Sequence, residues 1–228
     1  MMRAILFDWD GTIVDSIGAL YETDAAICRR IGVPFDLAIF RRTFSPNWRH
    51  MYDSLGIPGD RTEEAVQVWR ETFRSDRTRP FDGVQGALAR LVMGGYTLGV
   101  VTGGDRAEVE PQLRRLGIDD LMTVRVYGND TSAGKPHPAP LLLALELAGG
   151  CAPAEAVYVG DALDDMRMAS ATGVRGVGIV SMLARSEELT AAGAVETAAS
   201  VAEWVDRILG TSGIDRATSS SHAAGGHP

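Results

Sequence analysis

Apolar and polar positions follow two different rhythms along the 228-residue chain. The short run Ala4-Ile5-Leu6-Phe7 stops at Asp8-Trp9-Asp10-Gly11-Thr12, which reads as a buried strand opening into a tight polar turn. From 15 to 79 the spacing is helical. Ala19, Ala26, Ile27 and Ile31 predict one helix, ended by Gly32 and Pro34, and Leu37, Ile39 and Phe40 predict a second. Ser45-Pro46-Asn47 is a turn that starts a third helix through Trp48, Met51, Tyr52 and Leu55, ended by Gly56 and Pro58. Thr62-Glu63-Glu64 opens a fourth, with Val66, Val68, Trp69 and Phe73 as its apolar positions.

From Pro80 onward helix and strand alternate. Helices are predicted over 84–93, 105–116, 138–148, 164–172 and 201–209, and strands over 96–101, 122–127, 156–159 and 176–180. Such alternation implies an α/β fold, a doubly wound parallel sheet with helices on both faces. The expected organisation is a core from 1–14 and 80–210, interrupted by a small all-helical domain over 15–79. Residues 211–228 are Ser, Gly, Ala and His without period, which predicts a disordered tail in which His222 and His227 are simply solvated.

Charge and composition narrow the partners. A net charge of −8 offers no basic stripe for a nucleic-acid backbone. The apolar run at 4–7 is too short for a signal core, and no window approaches a membrane span, so a cytoplasmic protein without membrane contact is expected. Cys28 and Cys151 match no metal spacing and read as buried free thiols. The 22 basic residues comprise 21 arginines and one lysine, so any task requiring an ammonium falls to Lys135.

The polar punctuation falls at strand ends. Side chains alternate along a strand, so Asp8 and Asp10 project from the same side of its carboxyl end. Two carboxylates that close repel by about 4 kcal/mol at an effective dielectric near 20, so one takes a proton or a cation sits between them. The plainer alternative is an aspartate pair that caps the next helix and binds nothing. In a doubly wound sheet, however, Asp8, Asp10, Thr102 and Asp161 end neighbouring strands and converge on one crevice. With Asp165, Lys135 and the glycine amides after Thr102, they supply what a magnesium-dependent phosphoryl-transfer site needs.

Phe7-Asp8-Trp9-Asp10-Gly11-Thr12, Val101-Thr102-Gly103, Gly134-Lys135-Pro136 and Gly160-Asp161-Ala162-Leu163-Asp164-Asp165 resemble, in order and spacing, the four motifs of the haloacid-dehalogenase-like superfamily. The helical insert resembles the cap of its phosphoglycolate-phosphatase-like and beta-phosphoglucomutase-like members. The resemblance implies that Asp8 is a nucleophile forming an aspartyl-phosphate and that Asp10 is the acid, then the base. It implies that Thr102 and Gly103 hold phosphoryl oxygens and that Lys135 neutralises charge. Mg2+ would be held by Asp8, the Asp10 carbonyl and Asp161, with Asp165 directly or through water. Asp165 matches the usual spacing from Asp161, which leaves Asp164 as a helix cap or outer group.

Within the superfamily that these motifs resemble, an acid two places after the nucleophile implies a member that does not cleave carbon–halogen bonds, and a cap without lysine implies neither Schiff-base chemistry nor sugar-phosphate mutation. A magnesium-dependent phosphatase for a small phosphomonoester is therefore expected: phosphoglycolate-like, a sugar phosphate or a nucleotide. The alternatives are a phosphomutase and a non-enzymatic phospho-receiver switch. Thr12, Gly103, Trp48 and Arg49 are the candidate substrate contacts, with Arg49 expected to meet an anionic group.

Overall fold

A computed structural model describes residues 2–220. Its main sheet has six strands in the order β5-β4-β1-β6-β7-β8, every neighbouring pair parallel. These strands are β1 (Ala4–Phe7), β4 (Thr97–Val101), β5 (Val124–Val126), β6 (Ala156–Gly160), β7 (Arg175–Ile179) and β8 (Ala194–Ala198). The connecting helices are α5 (Val84–Met93), α6 (Arg106–Arg115), α7 (Ala139–Leu147), α8 (Leu163–Thr172), α9 (Ser186–Ala191) and α10 (Val201–Ser220).

Both faces of the sheet are buried, which is why its strands read as unbroken apolar runs. Ile5, Phe7, Val100, Val157 and Val159 pack with Leu88 and Leu91 of α5, Leu113 of α6 and Trp204 of α10. Ala4, Leu6, Val101, Val126 and Tyr158 pack on the other side with Leu141 and Leu145 of α7 and Met168 of α8. Continuing the alternation of Ala4 and Leu6 carries Asp8 to the α7–α8 side, the side of Tyr158.

The helical insert is α1 (Ile17–Ile31), α2 (Leu37–Thr43), α3 (Trp48–Leu55) and α4 (Thr62–Thr72). It leaves and rejoins the core through two short antiparallel strands, β2 (Val14–Asp15) and β3 (Arg79–Pro80), paired Val14 to Pro80 and Asp15 to Arg79. Its helices enclose their own cluster of Ile27, Phe40, Met51, Leu55, Ala65 and Val68. The Tyr21, Phe35 and Phe40 rings lie 5.3 to 5.9 Å apart within it. Full burial of a side chain such as Phe40 is worth about 1.5–3 kcal/mol. Cys28 and Cys151 are buried and free, as expected. Among the described residues no helix is long and apolar enough to cross a membrane.

Three features depart from the sequence reading. The strand pair β2–β3 is too short to show an alternation of its own. The α9–β8 unit was not expected, because α9 has only six residues and β8 carries Glu196 and Thr197 at a half-exposed edge. The last helix, expected to end at Leu209, continues through Ser220 into the segment expected to be disordered. Extending a formed helix adds one hydrogen bond per residue without a new nucleation cost, which offsets the weak helix formers Gly210, Thr211 and Ser212. The rest of that tail, 221–228 with His222 and His227, lies outside the described residues.

Candidate active site

Asp8 follows β1 directly, and its amide donates to the Val159 carbonyl of β6 at 2.8 Å, so the carboxylate is positioned by the sheet itself. Gly11 takes a left-handed backbone with φ of 77°, and a Cβ there would overlap the Asp161 carboxylate. The glycine thus both makes the turn and admits Asp161 beside it. Chain reversal then carries Ser16 back onto Asp10, where its hydroxyl donates to Oδ1 at 2.6 Å.

Lys135 is the hub. It arrives from the loop before α7, almost wholly buried, and its Nζ donates to Asp8 Oδ1 at 2.6 Å and to Asp165 Oδ1 at 2.8 Å. Asp165 is also held by the Ala162 amide, which donates to its Oδ2 at 3.1 Å, and the Tyr158 hydroxyl stands 3.1 Å from its Oδ1. Asp165 is therefore the residue that caps α8. Asp164, expected as a helix cap or an outer group, is not the cap: it accepts the Ser45 hydroxyl at 2.8 Å and the Arg167 guanidinium at 3.0 Å, beside the site. That contact ties the turn before α3 to the core.

Asp8, Asp161 and Asp165 each offer a carboxylate oxygen within 4.8 Å of the others. Four carboxylates, counting Asp10, face a single ammonium, and the site is short of positive charge. Burial, then Asp165, pushes Asp8 up to about 7 against the pull of Lys135. Burial raises Asp161 well above the usual carboxylate range, with Asp8 and Asp165 adding to it. Burial pulls the Lys135 ammonium down, but Asp165 and Asp8 together hold it above an ordinary lysine. Asp161 Oδ2 is buried without a hydrogen-bond partner, the only such side-chain atom among the described residues. An orphaned oxygen facing further carboxylates is the setting a hard divalent cation fits, and these donors are all oxygens.

Burial also raises Asp10, opposed by the Ser16 bond and by Lys135, so its carboxyl keeps a proton to higher pH than an exposed aspartate. Thr102 is buried at the end of β4, where its Oγ1 accepts the Gly104 amide at 3.0 Å. A Cβ on Gly103 would overlap the Pro46 carbonyl, so only glycine lets the helical insert close down here.

A cavity of about 320 Å3 opens beside these groups. It is lined by Asp8, Asp10, Thr102 and Gly103 from the core and by α1, α3 and α4 residues from the insert. The expected substrate contacts divide. Gly103 and Trp48 line the cavity, whereas Thr12 turns away to donate to Asp161 Oδ1 at 3.4 Å and supports that acid instead. Arg49 is exposed and lies over the Trp48 ring at 4.3 Å from its centroid, outside the cavity wall. Replacing Arg49 with Ala is accordingly expected to change kcat/KM of the best substrate by less than about twofold, since surface changes of this kind are usually worth under about 0.5 kcal/mol. A drop of tenfold would restore it as a substrate contact.

Sequence reasoning missed Ser16 and Tyr158, and it did not single out Asp24 of α1, which lines the cavity. Tyr158 carried a faint signal, one phenol in an otherwise aliphatic strand three residues before Asp161. Asp24 carried none, because an acid among helical positions reads as solvated.

The model of the haloacid dehalogenase-like hydrolases matches residues 5–179. The phosphoglycolate phosphatase of Nitrosococcus oceani is 32% identical over 180 residues, covering 73% of this chain and 79% of that protein. That of Xanthomonas campestris pv. campestris is 33% identical over 181 residues, covering 77% and 81%. A hydrolase from Pseudomonas syringae shares the fold, with a TM-score of 0.82 at 22% identity, over 91% of this chain and 98% of that one. With motifs, sheet order and carboxylate cluster in agreement, the chain belongs to the haloacid dehalogenase-like hydrolase family.

Proposed function

We propose that this protein is a magnesium-dependent phosphatase that hydrolyses a small phosphomonoester through an ester of Asp8. The observation that carries the reading is the buried set of Asp8, Lys135, Asp165 and Asp161, with its orphaned oxygen, opening through Asp10 into a closed-over cavity. The helical insert, 15–79, acts as the cap, and 1–14 with 80–210 forms the catalytic core.

Lys135 occupies Oδ1 of Asp8, which leaves Oδ2 to attack phosphorus. As the bond from phosphorus to the leaving oxygen breaks, Asp10 gives that oxygen its proton, and the alcohol departs. A water molecule then attacks the phosphorus of the Asp8 ester while Asp10 takes up its proton, releasing phosphate and restoring both carboxyls. The Ser16 hydrogen bond holds Asp10 in one orientation through both steps. Thr102 and the Gly103 amide bind phosphoryl oxygens, and Lys135 offsets the charge that gathers on them. Mg2+ would be held by Asp8, the Asp10 carbonyl and Asp161, with Asp165 reached through water because Lys135, Tyr158 and the Ala162 amide already engage it; when bound it supplies Lewis-acid polarisation of the phosphoryl group.

Phosphate release from a panel of metabolite phosphates, run with magnesium and with chelator, tests the reading. Release that requires the metal and stops on chelation is expected. A panel that yields no phosphate at all would overturn it.

A further inference from the structure

The cavity wall supplied by the insert is mostly aromatic and aliphatic, with Asp24, Ser45 and the exposed Arg70 as its polar members. Trp48, Trp69, Phe73, Phe44 and Tyr52 line it together with Asp24 of α1. Asp24 is 94% buried by its relative exposure of 6%. Its carboxylate makes no hydrogen bond or ion pair with any described residue, and burial alone pushes it up to about 7. Nothing in the fold asks for an acid there. Thr23 beside it satisfies its own hydroxyl on the Ala19 carbonyl, whereas Asp24 caps no helix and bridges no elements. Asp24 lines the cavity and no protein group pairs its carboxylate, so water or a ligand group in that cavity completes it.

Resting on the phosphatase reading for the chemical step, we propose that Asp24 is the specificity residue of the leaving-group pocket. It selects an alcohol with a ring or similar apolar body that ends in an N–H or O–H donor. The aromatic walls suit the apolar body, since rings of this kind bury large area and stack on flat ligands. The donor meets the Asp24 carboxylate on the insert side, across from the more exposed Asp105 and Glu108 of the core, and an ammonium does so most strongly because its charge is opposite. The same carboxylate repels a leaving group that is itself a carboxylate, so a glycolate ester is a poor fit at this position. Arg70 also lines the cavity, but it is exposed, and water screens its charge.

Three aryl phosphates with the same phenol and nearly the same length isolate the contact: 4-(2-aminoethyl)phenyl, 4-(2-hydroxyethyl)phenyl and 4-propylphenyl phosphate. The wild type should show kcat/KM at least about tenfold higher for the amine than for the propyl ester, the worth of one charge-assisted hydrogen bond. The hydroxyl ester should fall between them, and phosphoglycolate below the amine. In Asp24→Leu the preference for either donor should vanish, and in Asp24→Asn the amine should lose its advantage over the hydroxyl. Thermal melting confirms that both variants fold.

Calorimetric binding of the same esters to Asp8→Asn, and to Asp8→Asn carrying Asp24→Leu, reads the pocket without turnover. At least tenfold tighter binding of the amine ester in the first and equal binding in the second is the expected pair. Equal binding of amine and propyl esters with Asp24 present would overturn the inference. Wild-type protein that binds with this preference yet releases no phosphate would count against the phosphatase reading alone.

Discussion

Asp8→Asn is expected to lower kcat by at least about 10^3-fold, the scale of losses on removing a nucleophile from a site whose other groups remain. The amide is close in size and can still sit against Lys135, so the fold should persist. It cannot form an ester with phosphorus. Single-turnover measurement with a 32P-labelled phosphomonoester should leave label on wild-type protein after acid quench and none on the variant. Because Asp8 is held up near 7 by burial and Asp165, replacing it also removes a buried acid from a site with too few cations. The variant is therefore expected to melt no lower than the wild type at pH 8. Turnover within tenfold of wild type would show that position 8 is not the nucleophile.

Lys135→Met is expected to act on both activity and stability. The ammonium is buried between two carboxylates, at 2.6 Å from Asp8 and 2.8 Å from Asp165, and no other lysine exists in the chain to replace it. Removing one partner from a buried ion pair typically costs about 3–5 kcal/mol, because the remaining charge stays buried without compensation. In a chain of this size that corresponds to a melting temperature lower by on the order of 10 °C. Turnover should fall by about 10^2–10^3-fold, as for loss of one electrostatic contact to the reacting group.

The pH dependence of the Lys135→Met loss has a definite sign. Without the ammonium, the pull that opposes burial on Asp8 is gone, so its folded-state pKa rises further above the unfolded value of 3.8. The folded state then binds more protons than the unfolded one across that interval, so stability falls as pH rises through it. The variant's deficit should be greatest at pH 8 and shrink toward pH 3, below the unfolded value, where Asp8 is mostly protonated in both states. Melting curves at the two pH values decide it. A deficit that grows on acidification would mean that Lys135 does not compensate the carboxylates.

Much of this architecture is legible because it is periodic. The strands of the core are buried on both faces, so Ala4-Ile5-Leu6-Phe7 and Val157-Tyr158-Val159 stand out as apolar runs, and each ends in the residue that matters. The unread elements are those where burial is incomplete. Strand β8 lies at the sheet edge with Glu196 and Thr197 half-exposed, and α9 spans too few turns to show a face. Helix α10 outran its expected end because continuing a helix depends on what is already formed, which composition does not report.

The site divides along a similar line. Local sequence determined which residues carry reactive groups: the aspartates two apart at a strand's end, one lysine in the whole chain, an acid at the end of β6 and another four residues on. Tertiary structure alone decided which of these touch. Thr12 serves Asp161, Arg49 lies on Trp48 outside the cavity, and Asp164 joins Ser45 while Asp165 takes both the cap and the lysine. Asp24, silent in the sequence, became the one charged group on the buried wall of the insert because α3 and α4 close over it. Residue type and strand period are properties of neighbours along the chain. Burial, and with it the strength of every charge here, depends on what folds back from far away, so no local pattern encodes it.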